Sequence, residues 1–232
     1  MSKNTGVYTH RFFFFLCMVA GCLLWSSCFD LVEEIDMNHQ GAGTIKATLN
    51  LSKSRTQVAS LLKMKRVNGI DIPSEAKIKQ EMEKTVRTLK STPGISHVQY
   101  NLDFHNYIAS LSCHFDNVQA LNEFSQTLSD QFKIQITSYN SYRYDPPSHT
   151  FKRSYSYTDN LAKEFNKISS EDQNLFNEAY YTNIMRFDKK IQSQSHKLAK
   201  ISANKQAVLL KIKAIDLIKG TTSLANRIIL VK

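Results

Sequence analysis

The fold class is decided by the stretch Val98-Gln-Tyr-Asn-Leu-Asp-Phe-His-Asn-Tyr-Ile-Ala-Ser-Leu-Ser-Cys113, which alternates apolar and polar residues on both sides of a turn. A two-residue turn at His105-Asn106 would place apolar residues opposite one another on two antiparallel strands. The predicted pairs are Phe104 with Tyr107, Leu102 with Ala109, Tyr100 with Leu111, and Val98 with Cys113. All eight side chains then share one face, as a half-buried β-hairpin requires.

Similar hairpins are predicted on both sides of this stretch. Residues 31–51 alternate with period two around Gly41-Ala42-Gly43, and a third hairpin runs from Lys133 to Tyr144 and from Thr150 to Tyr157. Pro146-Pro147 marks the turn of the third hairpin. Further strands are expected at 180–190, 198–203 and 206–213, with a short apolar segment at 228–231.

Helical spacing of apolar residues appears between the hairpins, at 54–66, 74–91 and 117–131, with Asp116 as the expected cap of the last helix. Residues 158–178 are polar, helical or irregular, and are expected to be the most mobile part. Hairpins that alternate with helices predict an α+β fold, in which successive β-hairpins build an antiparallel sheet and helices pack on one face. A single domain is expected over residues 28–232.

The N-terminal 27 residues are typical of an export signal. Lys3 and Arg11 precede an apolar segment at 12–25, and its 14 residues are fewer than the ~20 that a helix needs to span a bilayer. Without the two leader cations, the chain keeps 28 basic against 20 acidic residues, a net charge of +8. Export makes nucleic acid an improbable partner, and the dispersed charge suits anionic lipid headgroups or simple solubility.

The end of the leader, Ser26-Ser27-Cys28, resembles a lipobox, the signal of bacterial lipoproteins. The resemblance implies that the Cys28 thiol carries diacylglycerol, with acyl chains such as palmitate, and that Cys28 becomes the mature N-terminus. Cys22 is a rival, because Val19-Ala20-Gly21-Cys22 matches the usual pattern better, whereas Trp25 stands where an aliphatic residue is normal.

Two observations favour Cys28 over Cys22. Cleavage before Cys22 would leave the apolar residues 23–25 exposed, and the composition becomes acidic directly after Cys28, at Asp30, Glu33 and Glu34. The only cysteine of the body is Cys113, so the mature chain has no intramolecular disulfide framework.

Residues 27–35, the Gly41-Ala42-Gly43 turn, and residues 180–188 and 199–220 together resemble Bacteroidetes-type lipoproteins of unknown function. The resemblance covers most of the chain and carries no catalytic motif. It implies attachment to the cell membrane through Cys28, with the globular part facing the periplasm or the exterior. Phe29 follows Cys28 where some lipoproteins carry the Asp that retains them at the inner membrane, so the outer membrane is favoured.

No nucleophile elbow, zinc-protease motif, phosphate-binding loop or dinucleotide-binding glycine motif occurs in the chain. We therefore expect a binding or structural role without a cofactor. The alternative is a hydrolase of envelope polymers, whose site only the fold brings together. His97 and His114 are predicted to oppose one another, but with only the distant Asp103 they are too few for zinc. Cys113 is expected to be buried and inert.

The third hairpin offers the best candidate for a binding patch, because it combines aromatic and basic side chains that could stack on sugar rings or bind phosphates. Its partner would be an envelope protein, a lipid or a glycan. The alternative is that the aromatic residues pack across strands and into the core. The members of the patch are Tyr139, Tyr142, Arg143, Tyr144, Lys152, Arg153, Tyr155 and Tyr157.

Overall fold

The structure is a computed structural model that describes residues 29–64, 66–67, 70–132, 141–167, 169–174 and 176–232. In chain order the strands are β1 (Asp30–Met37), β2 (Gly43–Asn50), β3 (Arg66–Val67), β4 (Ile70–Asp71), β5 (Ile95–Asp103), β6 (Ile108–Phe115), β7 (Tyr142–Asp145), β8 (Thr150–Arg153), β9 (Tyr180–Phe187), β10 (Ile191–Gln194), β11 (Lys200–Ile201), β12 (Ala207–Lys213) and β13 (Asn226–Leu230). The α-helices are α1 (Arg55–Leu62), α2 (Glu75–Lys90), α3 (Val118–Phe132), α4 (Asn160–Phe165), α5 (Ser170–Asn174) and α6 (Ala214–Ile218), and a 3-10 turn spans Ser52–Ser54.

The larger sheet has seven strands in the order β11-β12-β9-β1-β2-β6-β5. The predicted α+β fold is confirmed, and hairpin neighbours pair antiparallel as expected. One pair differs, because β1 and β9 run parallel from Asp30 opposite Tyr180 to Met37 opposite Phe187. This long-range pair places β1, the strand nearest Cys28, in the middle of the sheet.

The hairpin of β5 and β6 has the predicted register near its turn, where Leu102 pairs with Ala109 and Tyr100 with Leu111. Its turn contains four residues instead of two, since the strands end at Asp103 and begin again at Ile108.

The prediction for the far end of this hairpin is wrong. A β-bulge lies between Ser96 and Gln99, so His114 pairs with Ser96, and neither the Val98–Cys113 pair nor the His97–His114 pair forms. The reason is the extra residue of the bulge, where His97 adopts a positive φ of 51°. The two imidazole rings still meet edge to face, with centroids 6.3 Å apart.

A second sheet has four strands in the order β10-β13-β8-β7. It contains the third hairpin, which is shorter than predicted, and residues 133–140 of the predicted first strand lie outside the described part. Phe151 of β8 is fully buried, and its ring centroid lies 5.8 Å from that of Phe187 in β9. The second sheet therefore packs on the core face of the larger one.

Helices α2 and α3 cover another part of the same core. α2 packs against β5, and α3 packs against β6 and β7. Their side chains Leu89 and Phe124 are fully buried in one apolar cluster with Phe115. The cap of α3 is Asn117 and not Asp116, because Asn117 Oδ1 accepts a hydrogen bond from the backbone N–H of Ala120 at 3.0 Å.

Within residues 158–178 the structure describes two short helices, α4 and α5. The ring of Phe176 lies 5.2 Å from that of Phe165 and 5.2 Å from that of Phe29. This segment therefore packs beside the residue that follows Cys28. Among the described residues, no helix has the length and apolar character that crossing a bilayer requires.

Candidate functional site

The predicted patch on the third hairpin divides between two faces of the second sheet. Tyr142 and Arg153 point into the protein, and each is only 3% exposed. Arg143 and Lys152 point outward and are exposed. Alternation along a strand requires this division, because successive side chains lie on opposite faces. Tyr139 of the predicted patch lies outside the described residues.

The other tyrosines of the predicted patch have packing roles. The Tyr144 ring lies against Gly41, and its hydroxyl donates a hydrogen bond to the backbone oxygen of His39 at 2.9 Å. Tyr155 is half-buried against the core, and burial raises its pKa. Tyr157 lies over Gly220, and its hydroxyl donates to the backbone oxygen of Ile218 at 3.2 Å. The aromatic and the basic members therefore do not form one surface.

The inward members belong to a buried group that we call the Glu33 cluster, made of Glu33, Tyr142, Arg153 and Tyr181. Both tyrosine hydroxyls donate hydrogen bonds to the Glu33 carboxylate. Arg153 Nη1 lies 3.3 Å from Glu33 Oε2 and donates to the Tyr181 hydroxyl at 2.7 Å. Glu33 and Tyr181 come from the seven-stranded sheet, whereas Tyr142 and Arg153 come from the four-stranded sheet. The cluster therefore joins the two sheets through polar bonds.

The electrostatics of the cluster keep its tyrosines protonated. Burial raises the pKa of Tyr142 and of Tyr181 well above 10. The positive charge of Arg153 lowers both pKa values, whereas the negative charge of Glu33 raises them. Burial alone would lower the pKa of Arg153, but Glu33 and the two tyrosines raise it overall. Arg153 is thus a fixed cation, and its guanidinium carbon lies 5.2 Å and 5.4 Å from the centroids of the Tyr142 and Tyr181 rings.

Two buried donors near this cluster have no hydrogen-bond partner among the described residues, namely Arg153 Nε and Asn183 Nδ2. Asn183 is the residue opposite Glu33 in the parallel register of β1 and β9. Buried donors of this kind are usually satisfied by ordered water. The Glu33 cluster is therefore a group of buried polar side chains within an otherwise apolar core.

The outward members extend into a second feature, the basic row, made of Arg143, Lys152 and Arg227. Arg143 is directly opposite Lys152, and Lys152 is directly opposite Arg227, on three adjacent antiparallel strands. Neighbours in such a register lie about 5 Å apart, so the row spans roughly 10 Å. All three side chains are exposed.

The basic row is unfavourable for the isolated protein, because like charges that face one another across strands destabilise a sheet. None of its three cations forms an ion pair with a residue that the structure describes. Guanidinium and ammonium groups bind phosphate and carboxylate strongly, and arginine does so with two parallel hydrogen bonds. The arrangement can therefore hold an anion or a chain of anionic groups.

A third feature is a shallow depression of about 560 Å³ on the outer face of the seven-stranded sheet, where Glu34, Asp36, His97 and His114 contribute to its lining. Arg186 neutralises both carboxylates, with Nη2 2.9 Å from Glu34 and Nη1 3.2 Å from Asp36. Within the described ranges, no three His, Cys, Asp or Glu side chains are grouped so that they could hold a metal ion.

Cys113 is 3% exposed and lies in the core. Burial raises the pKa of its thiol to about 12, which suppresses the reactive thiolate. Cys28 and its rival Cys22 lie outside the described residues, so their proposed acylation depends on the sequence.

Three residues of the Glu33 cluster and the basic row, namely Glu33, Tyr181 and Arg227, were not predicted from the sequence. Glu33 left a signal, because it is a charged residue at an inward position of β1, between Leu31 and Ile35. Tyr181 and Arg227 carried no such signal, since each needs a long-range strand pairing to reach its partners.

No protein-family model and no curated protein matches this chain. Among solved structures, it is similar to the NMR structure of the folded domain of the Mycobacterium tuberculosis LppM protein, with 11% sequence identity over 87% of this chain and 88% of that chain. The TM-score is 0.42, and a likeness at this level carries no argument about fold or function.

Proposed function

We propose that the chain is an exported lipoprotein, held at the membrane by a diacylglyceryl group on Cys28, and that its globular part binds a partner in the cell envelope. The leader supports export, and the start of the fold supports Cys28 as the anchor. The backbone oxygen of Phe29 accepts a hydrogen bond from Tyr180 at 3.0 Å, and β1 begins at Asp30.

The basic row is the observation that carries the binding role. Three exposed cations in direct register repel one another, and a ligand that neutralises them would relieve this repulsion. The partner we propose is an anionic envelope component, either a glycan or a lipid, that presents phosphate or carboxylate groups. We favour the outer membrane, because Phe29 stands at the position where some lipoproteins carry the Asp that retains them at the inner membrane.

A binding role is also supported by how the reactive groups are used. Both oxygens of Glu33 accept hydrogen bonds from tyrosines, and Arg153 neutralises its charge. Cys113 is held as a protonated thiol. The contacts that the structure describes for these two side chains lie in the interior of the protein.

The alternative function, a hydrolase of envelope polymers, would place its site in the outer depression, because two carboxylates and two imidazoles meet there. A Glu34→Gln, Asp36→Asn variant separates the two functions. Our proposal predicts that envelope integrity and anion binding do not change in this variant. Loss of a polymer-cleaving activity in the variant would support the alternative.

The anchor is tested by metabolic labelling with a palmitate analogue, followed by membrane fractionation of the wild type, Cys28→Ala and Cys22→Ala. We expect Cys28→Ala to lose both the label and the membrane fraction, whereas Cys22→Ala keeps both. Retention of the label by Cys28→Ala would contradict the assignment.

Anion binding is tested with dextran sulfate as the probe and neutral dextran as the reference. We expect Arg143→Gln, Lys152→Gln, Arg227→Gln to weaken dextran sulfate binding by about tenfold, since each exposed charge pair contributes up to ~1 kcal/mol. The matched control removes three exposed cations of α2, by Lys79→Gln, Lys84→Gln, Arg87→Gln, and should change the affinity less than about twofold. Equal losses in both triple variants would refute a specific site.

A further inference from the structure

A second basic surface lies at the end of the domain where β1 begins. Lys53 Nζ forms an ion pair with Asp30 Oδ2 at 3.2 Å. Asp30 is two residues after Cys28, so their Cα atoms are at most about 7 Å apart. An anchor on Cys28 would therefore place Lys53 next to the membrane surface.

The residues on either side of Lys53 lie at the same end of the sheet. Asn50, the last residue of β2, pairs with Asp30 on one side and with Ile108 on the other. The backbone N–H of Leu51 donates to the backbone oxygen of Tyr107 at 2.9 Å. Arg55 Nη2 lies 3.2 Å from His105 Nε2 in the turn between β5 and β6. The start of α1 thus lies across the strand ends that are nearest to Cys28.

The exposed side chains here combine positive charge with apolar area. We call Lys53 and Arg55, at the start of α1, together with Lys63 and Met64, which follow its last residue, the anchor-end surface. The three cations are exposed, and Met64 is 49% exposed. No side chain of α1 is fully buried. Cations beside exposed apolar groups are typical of a protein surface that lies in a lipid headgroup layer.

We infer that the anchor-end surface lies against the anionic lipid headgroups of the same membrane that holds Cys28. The inference rests on the proposed function, since acylation of Cys28 sets the position of this surface. Electrostatic attraction to lipid is effective within about 8 Å at physiological ionic strength. Lys53 pairs with Asp30, two residues after the anchor, so an acylated Cys28 would hold this end of the domain at the headgroup layer.

The basic row is farther from the anchor and therefore suits a different partner. Lys152 is next to Arg153, whose partner Glu33 is three residues beyond Asp30 in β1, about 10 Å along the strand. The two basic surfaces therefore have different partners. The anchor-end surface contacts the anchoring membrane, and the basic row binds an envelope component.

The test uses the purified acylated protein in vesicles of phosphatidylcholine, with or without phosphatidylglycerol. Hydrogen exchange of the backbone amides in residues 52–64 is measured in both. We expect exchange about tenfold slower in the vesicles that contain phosphatidylglycerol. Lys53→Gln, Arg55→Gln, Lys63→Gln should abolish the difference, whereas Lys79→Gln, Lys84→Gln, Arg87→Gln on α2 should preserve it.

Vesicle flotation and intact mass separate the outcomes. Acylated protein that floats with both kinds of vesicle but exchanges equally in both would overturn this inference and leave the proposed function standing. A protein without acyl chains would overturn the proposed function, and this inference with it. Loss of the exchange difference in the α2 variant as well would show general charge attraction and would also overturn the inference.

Discussion

Replacing Glu33 with Gln removes the only acidic group of the Glu33 cluster, while the side chain keeps nearly the same size. Arg153, 3% exposed, would remain charged in the interior without its counter-ion. Breaking a buried ion pair from one side costs about 3–5 kcal/mol. Since a domain is stable by only ~5–15 kcal/mol, Glu33→Gln should remove a large share of the free energy of unfolding.

The assay is urea unfolding followed by far-ultraviolet circular dichroism, and the neighbouring Glu34 supplies the control. Glu34 has the same chemistry and also pairs with an arginine, but it lies on the outer face of β1, where Arg186 is partly exposed. Glu34→Gln should therefore cost about 0–1 kcal/mol. A cost for Glu33→Gln no larger than that for Glu34→Gln would refute the account of the cluster.

The double variant Glu33→Gln, Arg153→Met measures the coupling directly. It removes both charges, so the penalty of an unpaired buried cation disappears. We expect the double variant to be more stable than the sum of the single changes by about 2 kcal/mol. Additive costs would mean that the two side chains contribute independently, contrary to their 3.3 Å contact.

Three further predictions follow from the same structure. Because the folded-state pKa values of Tyr142 and Tyr181 lie well above 10, their contribution to stability is fully present below pH 10 and is lost as the pH rises above it. Tyr142→Phe should weaken this alkaline loss, and an unchanged slope of unfolding free energy against pH would contradict the burial of its hydroxyl. Lys152→Gln should raise the free energy of unfolding by roughly 0.5 kcal/mol, because it relieves repulsion within the basic row; a loss of stability in urea unfolding would argue against that repulsion. The Cys113 thiol, with its pKa raised to about 12, should react with Ellman's reagent only after unfolding in urea, and fast reaction of the native protein would show that the thiol is accessible.

The hairpin of β5 and β6 shows what local sequence can predict. Its register near the turn depends on side chains only a few residues apart, and alternation of apolar residues is enough to set it. The bulge at His97 could not be predicted in this way, because one extra residue with positive φ leaves no mark on the apolar pattern.

The alternation of apolar and polar residues does not show which distant strands pair in the sheet. Period two shows that β1 and β9 are strands, but it does not show that they pair in parallel across about 150 residues of chain. The position of Glu33 opposite Asn183 and beside Tyr181 depends on that pairing. A partner for the inward Glu33 could be expected from its charge, but its identity could not.

The basic row also depends on strand pairing and burial that the alternation of residues does not show. Alternation assigns Arg143 and Lys152 to one face of the third hairpin and Tyr142 and Arg153 to the other. It does not say which face is buried, since that depends on the seven-stranded sheet underneath. Arg227 joins the row only because β13 pairs with β8, which brings Arg227 opposite Lys152, 75 residues earlier in the chain.

The intact mass of the protein extracted from membranes tests most directly whether Cys28 is the acylated N-terminus of the mature protein. We expect the mass of the chain that begins at Cys28, increased by a diacylglyceryl group. A chain that begins at Cys22 would contradict the assignment to Cys28. An unmodified full-length chain would contradict the lipoprotein account itself.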